Sequence, residues 1–359
     1  MRVEKSKWVL LFAVVMTLSL VLAGCGGGEP AGEEGSGGEV IEWSFYSPYG
    51  PEDSACCRIW PALFEQIEEE TNGQLVITTY WSGQHPYSGE DMLRVIDEGA
   101  AELAHFYGGY IASVEPVLAV DALPLLFPSD PIEAWAVTSA LWGDFSQNTE
   151  GALEKVLEEN WGASMIHMVP ATSQRLMTMD YEAGAIGSLT GHKIRTYSAE
   201  FGEFVQALGG TPVTISASEV YTSLATNLID GLITSVVFAD AGGYFDYVNT
   251  INMWEITQSS DGLMVSMEAL NSLPDEVKEV FLRVMYDSAT KPEMLEIEEN
   301  DTIVEAKEAS GEVTIVVPSD EERAQVSAIM SEKIWTPWES KTGEAGAAVL
   351  EQINEMTGK

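Results

Sequence analysis

The chain has 359 residues and a formal net charge of −40, because 57 acidic residues oppose 17 basic ones. Nucleic acid is excluded as a partner, since phosphate contacts require clustered lysine and arginine side chains. A hydrophobic content of 45% with ten tryptophans predicts large folded cores, and the length is sufficient for two domains.

The first 25 residues have the pattern of an exported leader. A short basic start is followed by residues 8–23, which carry no charge. This apolar run is shorter than the ~20 residues that a membrane-spanning helix requires. It ends in Leu-Ala-Gly-Cys at residues 22–25, which resembles the lipobox of bacterial lipoproteins. The resemblance implies cleavage before Cys25, lipidation of its thiol and a location outside the cytoplasm, in the periplasm or at the cell surface. An uncleaved membrane anchor is the alternative.

Residues 26–39 form a second segment without folding signals. They are mostly glycine, glutamate, alanine, serine and proline, with no large apolar side chain. Such a segment cannot bury enough surface to offset the entropy of ordering it, so we predict a flexible tether. The folded part is expected to begin at residue 40.

The remaining chain alternates between strand and helix patterns. Strands are predicted near residues 41–46, 75–81, 101–107, 163–169, 175–179, 192–196 and 313–317. Helices are predicted near residues 60–70, 90–98, 135–142, 151–160, 200–208, 218–229, 274–308, 321–339 and 344–356. This alternation predicts an α/β fold with mostly parallel sheets.

The sequence contains few signals of an enzyme. Neither a Gly-x-Ser-x-Gly elbow nor a phosphate-binding glycine loop is present. Acidic residues are so abundant that any carboxylate pair is a weak candidate for an acid–base dyad. The four histidines are scattered, and no spacing of cysteine and histidine suggests a metal. We therefore predict no catalytic residue, no cofactor and no metal site.

Cys56 and Cys57 are adjacent in the chain. A disulfide between neighbours requires a strained ring, although an oxidising compartment favours disulfides. A vicinal disulfide and two separate thiols both remain open on the sequence alone.

Arg175 and Arg195 are the informative basic residues, because each lies in or beside a predicted apolar strand. A guanidinium there requires either an internal carboxylate or an anionic ligand. The pattern alone favours a structural ion pair for both. Aromatic residues at strand ends are further candidates, since residues beyond the carboxyl ends of parallel strands line ligand crevices. These aromatic residues are Tyr46, Tyr49, Trp81, Tyr107 and Tyr110.

Several segments resemble the solute-binding proteins of TRAP transporters, the DctP-type family. They are Thr-Asn-Gly-Gln-Leu-Val-Ile at 71–77, Asp-Ala-Leu-Pro-Leu-Leu-Phe at 121–127, Gly-His-Lys-Ile-Arg at 191–195 and Ser-Glu-Val-Tyr through Asp-Gly at 218–231. The resemblance covers about residues 41–290. It implies a two-domain periplasmic-binding-protein fold with mixed, mostly parallel sheets, hinge strands and a long domain-spanning helix. Domain I is predicted at 40–170 with about 257–291, and domain II at 171–256 with about 292–359.

The same resemblance implies site residues. Arg195 falls on the arginine that pairs with the ligand carboxylate, and Arg175 falls on a second arginine that assists it. The family's Gln-Glu-Asn after Asp-Gly is replaced by residues 232–234, and a ligand-packing aromatic is replaced by Ala217, so the substrate of other members is not implied. The predicted ligand-binding residues are Arg195, Arg175, Tyr107, Tyr46, Thr234, Ser235, Phe238 and Trp81.

The implied function is that of a non-enzymatic binding lipoprotein. It captures an organic acid by arginine pairing in an interdomain cleft and delivers it to the small and large integral membrane subunits of the transporter. Lipidated Cys25 ties it to the membrane. The alternative is an extracytoplasmic sensor component that docks on a membrane receptor.

Overall fold

The computed structural model describes residues 39–51, 55–144, 149–171, 173–288 and 295–358. The predicted leader with Cys25, and the predicted tether up to residue 38, lie outside these ranges. In the ranges described, no helix combines the length and the apolar character needed to cross a membrane.

Two mixed sheets organise the fold. The strands in chain order are β1 (Ile41–Tyr46), β2 (Leu75–Tyr80), β3 (Leu103–Tyr107), β4 (Gly143–Asp144), β5 (Thr149–Glu150), β6 (Ala163–Pro170), β7 (Gln174–Thr178), β8 (Lys193–Thr196), β9 (Thr211–Thr214), β10 (Gly231–Thr234), β11 (Thr250–Thr257), β12 (Ser260–Ser266) and β13 (Thr314–Val316). The first sheet has the order β2-β1-β3-β12-β6 and the second the order β13-β11-β7-β10-β8-β9. The sequence pattern predicted the strands of both sheets except β9, β10, β11 and β12.

The chain passes between the two sheets at two neighbouring places. β6 leads into β7 near Ala171, and β11 leads back into β12 through Gln258 and Ser259. The two crossings are hydrogen-bonded to each other, because Ala171 N donates to Ser259 O at 2.9 Å. β12 then inserts between β3 and β6, antiparallel to both. Each sheet is therefore built from separate parts of the chain.

Parallel pairing slightly outnumbers antiparallel pairing over the two large sheets, with two of four pairings parallel in the first and three of five in the second. Among the strands described, five of the nine pairings are parallel. All four antiparallel pairings involve β7 or β12, the strands that follow the crossings. The predicted α/β fold with mixed, mostly parallel sheets is confirmed.

Helices pack around the sheets, and the last of them form one long stretch. They are α1 (Ala55–Glu70), α2 (Met92–Asp97), α3 (Gly108–Ile111), α4 (Pro131–Trp142), α5 (Ala152–Trp161), α6 (Ala199–Ala207), α7 (Val220–Ala225), α8 (Val236–Ala241), α9 (Met267–Ser272), α10 (Asp275–Ser288), α11 (Leu295–Ser310), α12 (Asp320–Met330) and α13 (Thr336–Thr357). A π-helical turn joins α12 directly to α13, and α13 itself is kinked at Gly343, which has a φ of +64°.

The long terminal helix contacts the helices of both sheets. It begins at a capping box in which the side chains of Ser319 and Glu322 bond each other's backbone N–H groups. α12 contacts α6, which follows β8, whereas α13 contacts α4 and α5, which precede β6. Trp338 Nε1 also donates to Pro116 O at 2.9 Å. The predicted long helix is present, and it runs from the second sheet towards the first.

One face of the first sheet carries an aromatic core. Phe45 contacts Trp60 and Phe64 edge-to-face, with ring centroids 5.5 and 5.4 Å apart. Cys56 and Cys57 are buried in the same cluster and are not joined by a disulfide. Both lie in α1, where successive side chains point about 100° apart, so the helical backbone does not favour a direct bond between the two sulfurs.

Candidate ligand-binding cavity

A cavity of about 50 Å³ lies at the carboxyl ends of β1, β3, β8 and β10. Ligands of open α/β sheets bind at this position. A cavity of ~10–15 Å³ holds one water molecule, so this one accommodates only a small molecule without a change of shape. The lining residues are Tyr49, Tyr107, Tyr110, Ala171, Gln174, Arg195, Tyr197, Ala217, Thr234, Ser235, Phe238, Tyr244 and Asp261.

Arg195 provides the positive charge of the cavity. It lies in β8, and only 5% of the residue is exposed. Its Nε donates to Ile215 O at 3.0 Å, and Nη1 donates to Ile233 O at 3.2 Å. The guanidinium carbon lies 5.1 Å from the ring centre of Tyr197, within the range of a cation–π contact. These contacts fix the orientation of the guanidinium.

Arg195 has no counter-ion in the part of the chain that the structure describes. The chain has 57 acidic residues, yet none of the described ones forms an ion pair with Arg195. Burial lowers the pKa of its guanidinium, because desolvation disfavours the charged form. The two carbonyl groups use two of its five N–H bonds. A buried guanidinium with unused donors and no counter-ion is suited to bind an anion.

Asp261 provides the negative charge of the cavity. It lies in β12 and is 3% exposed. Its Oδ1 accepts a hydrogen bond from His105 Nε2 at 2.8 Å, and His105 Nδ1 lies 3.0 Å from Ser47 Oγ. Ser47 and His105 are fully buried, and Asp261 is the member of this trio that lines the cavity. The arrangement therefore presents a carboxylate to a ligand, whereas the serine cannot reach one.

Tyrosine hydroxyl groups form much of the remaining wall. The hydroxyl oxygens of Tyr107 and Tyr197 lie 3.0 Å apart, and Tyr49 packs edge-to-face on Phe238 at a centroid distance of 5.4 Å. Burial raises the pKa of the Tyr107 and Tyr197 hydroxyls, because desolvation disfavours the phenolate. Both remain neutral and can donate or accept a hydrogen bond.

Thr234, Ser235 and Phe238 line the cavity where β10 meets α8. Ser235 caps α8, because its Oγ accepts a hydrogen bond from Phe238 N at 3.2 Å. Five of the predicted site residues thus line one cavity: Arg195, Tyr107, Thr234, Ser235 and Phe238. Their contribution to binding stays a prediction.

Arg175 is not among the lining residues. Its Nε and Nη2 both lie 2.9 Å from Oε1 of Glu255, and the pair is mostly buried. Asn300, with its amide oxygen towards the guanidinium, accepts from Nη1 at 2.9 Å. The structural ion pair that the sequence pattern favoured is present for Arg175, and the structure does not bring its side chain into the cavity.

Tyr46 and Trp81 also lie outside the lining. The ring of Tyr46 stacks on His85 at a centroid distance of 4.9 Å, and Trp81 packs edge-to-face on Phe45 at 6.5 Å. Both side chains have packing contacts that account for their positions.

Some lining residues were absent from the predicted set. Tyr197 lies two residues beyond Arg195 at the end of a predicted strand, so the strand-end rule that selected Tyr107 applies to it equally. Asp261 and Gln174 had no comparable signal, because Asp261 lies in an unpredicted strand and Gln174 at the start of one.

Asp121 is a second buried carboxyl group close to the crossings. Its Oδ2 accepts from Ser260 N at 3.0 Å and from Ser260 Oγ at 2.9 Å, whereas its buried Oδ1 has no hydrogen-bond partner among the residues described. Burial raises the pKa of Asp121 to about 7.

Asp121 is expected to make folding stability depend on pH. An exposed Asp has a pKa of about 3.9, so the folded state binds an extra proton up to pH 7 and loses stability as the pH rises to that value. The wild type should therefore lose stability from pH 5 to pH 7, whereas Asp121→Asn lacks this loss. The difference in the free energy of unfolding, variant minus wild type, should be about 3 kcal/mol larger at pH 8 than at pH 5, since each of these two pH units contributes about 1.4 kcal/mol. Urea unfolding of both proteins at the two pH values measures this, and an equal difference at both contradicts the assignment.

Two β-sheets flanked by helices are joined at two neighbouring crossings, and a buried guanidinium lies in the cavity between their strand ends. This arrangement defines a two-domain binding protein of the periplasmic type. Residues 60–341 match the DctP family, described as bacterial extracellular solute-binding protein, family 7. The chain belongs to this family of TRAP transporter solute-binding proteins. Its members are extracytoplasmic receptors and not enzymes.

Three similar proteins illustrate the relationship. Ectoine-binding periplasmic protein TeaA of Halomonas elongata is 22% identical over 287 residues, which cover 79% of this chain and 81% of TeaA. DctP6 of Bordetella pertussis, an extracytoplasmic solute receptor binding pyroglutamic acid, has a TM-score of 0.75 and 18% identity, covering 88% of this chain and all of that one. A TRAP periplasmic solute-binding protein of Chromohalobacter salexigens with bound D-glucuronate has a TM-score of 0.76 and 18% identity, covering 88% and 99%. The structural matches establish the fold.

Proposed function

We propose that this protein captures a small organic acid in the cavity and pairs the ligand carboxylate with Arg195. The observation that carries the proposal is the buried guanidinium with unused N–H groups and no counter-ion among the described residues. Charge-assisted bonds between a guanidinium and a carboxylate are strong, and exclusion of water strengthens them further. The relatives support this ligand class, since pyroglutamic acid and D-glucuronate both carry a carboxyl group.

We propose that the ligand also carries an N–H group, which Asp261 accepts. A ligand surface without a hydrogen-bond donor would desolvate the buried Asp261 carboxylate without replacing its hydrogen bonds to water, which costs free energy. Pyroglutamic acid and ectoine each combine a carboxyl group with a ring N–H, whereas the donors of glucuronate are hydroxyl groups. The small cavity volume also favours the two smaller molecules.

We place the domain boundaries along the two sheets. Strands from residues 41–170 and 260–266 build the first sheet, and strands from 174–257 and 314–316 build the second. This supports domain I at 40–170 with about 257–291 and domain II from 171 to 256 with the segment from about 292. Because α13 contacts α4 and α5, we assign the last helix to domain I and end domain II near residue 335. Closure of the domains about the two crossings would surround the ligand.

We propose that the closed protein delivers its ligand to the small and large membrane subunits of a TRAP transporter. Lipidation of Cys25 and the tether at 26–39 would hold the protein close to those subunits and raise its effective concentration there.

A thermal-shift comparison of matched ligands tests the proposed ligand class. Pyroglutamate and ectoine are expected to raise the melting temperature, because a ligand at 100 times its Kd stabilises the folded state by about 2.7 kcal/mol. 2-Pyrrolidone lacks the carboxyl group and cyclopentanecarboxylate lacks the N–H, so each should bind much more weakly. Absence of a shift with every carboxylate contradicts the proposal.

The Asp261→Asn variant tests recognition of the ligand N–H group separately from recognition of the ligand carboxyl group. Ectoine bears a positive charge on its ring N–H groups, so loss of the Asp261 charge should weaken ectoine more than pyroglutamate. Equal losses for the two ligands would remove Asp261 from the proposed recognition but leave the Arg195 pairing in place.

A further inference from the structure

A second group of ligating side chains lies behind the cavity. The sulfurs of Cys56 and Cys57, in the first turn of α1, and a ring nitrogen of His105, in β3, all lie within 4.8 Å of one another. None of the three residues is more than 1% exposed. We propose that these three side chains bind one zinc-type metal ion, at a site separate from the organic-acid cavity.

The donor atoms select the metal. Two thiolates and an imidazole suit Zn²⁺, whereas Mg²⁺ and Ca²⁺ prefer oxygen ligands. Donors of one tetrahedral zinc ion lie about 3.5–3.8 Å apart, because Zn–S bonds are about 2.3 Å and Zn–N bonds about 2.0–2.1 Å long. The three donor atoms lie no more than 4.8 Å apart, which exceeds that spacing by at most about 1.3 Å. Small side-chain rotations are therefore sufficient to form the site.

The hydrogen bonds of His105 match those of a metal ligand. Its Nε2 donates to Asp261 Oδ1 at 2.8 Å, and a ligating histidine characteristically gives its second N–H to a carboxylate in this way. We assign Nδ1 to the ion. This nitrogen lies 3.0 Å from Ser47 Oγ, so metal binding exchanges that hydrogen bond for a coordination bond and leaves Ser47 Oγ beside the fourth position.

Cys56 and Cys57 are neighbours in the first turn of the 16-residue helix α1, and His105 lies in β3, so a metal ion would link the helix to the sheet. The proposal is independent of the identity of the organic acid. It does connect the two sites, because a metal-bound His105 would hold Asp261 as a hydrogen-bond acceptor at the cavity wall.

Cobalt is the probe for this site. The full-length chain is unfolded, reduced and refolded with increasing Co²⁺. We expect near-ultraviolet absorption from thiolate-to-cobalt charge transfer that saturates at one equivalent and disappears when Zn²⁺ is added. Cobalt held by the acidic surface does not give this band, since carboxylates are not thiolates.

The chain offers a matched control for the thiols. Cys56→Ser and Cys57→Ser should each lose the band, whereas Cys25→Ser, which removes the third cysteine of the chain produced without lipidation, should retain it. If either core variant fails to fold, the melting temperature of the unmodified protein refolded with Zn²⁺ is compared with that after refolding in a chelator, and a rise with Zn²⁺ is expected. No band at one equivalent in the wild type, or the same band in folded Cys56→Ser and Cys57→Ser, overturns the proposal.

Discussion

Arg195→Ala is expected to abolish binding of the organic acid while the protein without ligand remains folded. Removing one partner of a desolvated, hydrogen-bonded charge pair costs about 2–5 kcal/mol of binding free energy, which is between about 30-fold and several thousand-fold in Kd. Stability should change little, because the lost bonds to the Ile215 and Ile233 carbonyls are offset by removal of a buried charge without a counter-ion. Calorimetric titration and a melt without ligand measure the two effects.

Arg195→Lys is the matched control for charge. Lysine keeps the positive charge but cannot form the planar pair of hydrogen bonds, so its affinity should lie between those of the wild type and the alanine variant. An unchanged Kd in Arg195→Ala contradicts the assignment of the ligand carboxylate to this residue.

Arg175→Ala is expected to have the opposite profile. It leaves the Glu255 carboxylate mostly buried without its partner, and breaking a buried pair from one side costs about 3–5 kcal/mol of folding stability. The folded fraction should bind the organic acid almost as the wild type does, because Arg175 is not among the lining residues. Guanidinium unfolding and calorimetric titration of the same preparation measure this.

The double variant Arg175→Met with Glu255→Gln is the control for the ion pair. Since it removes both charges together, it should recover most of the stability that Arg175→Ala loses. A large loss of affinity in Arg175→Ala with normal stability would instead support the ligand-assisting role that the family resemblance implied.

The two arginines show how far the sequence predicts the site. Both lie in strands of the second sheet, and the apolar pattern of these strands does not distinguish the two arginines. The difference is Glu255, which has a φ of +47° within an irregular stretch of the pairing between β11 and β7 and so directs its carboxylate to Arg175. With 57 acidic residues, no spacing identifies which one pairs with which arginine.

The fold was easier to predict from the sequence than the binding site. Strands with alternating or clearly bounded patterns, such as β1 and β2, were predicted close to their observed bounds. β12 was missed because almost all of its residues are buried, which removes the alternation that marks a half-exposed strand. Its Asp261 was missed as well, because it lies at the amino end of an antiparallel strand, whereas the strand-end rule selects residues at the carboxyl ends of parallel strands.

β12 completes the first sheet late in synthesis. β3 and β6 have emerged by residue 170, yet the strand that separates and pairs both of them ends only at Ser266. Until residue 266 has emerged, the facing edges of these two strands are therefore open to pairing with other chains for almost a hundred residues, which is a situation that favours aggregation. Residues 1–170 carry 26 acidic and 6 basic side chains, a net charge of −20, so neighbouring chains at that stage repel each other. We therefore expect the acidity of this chain to limit aggregation while the first sheet is incomplete.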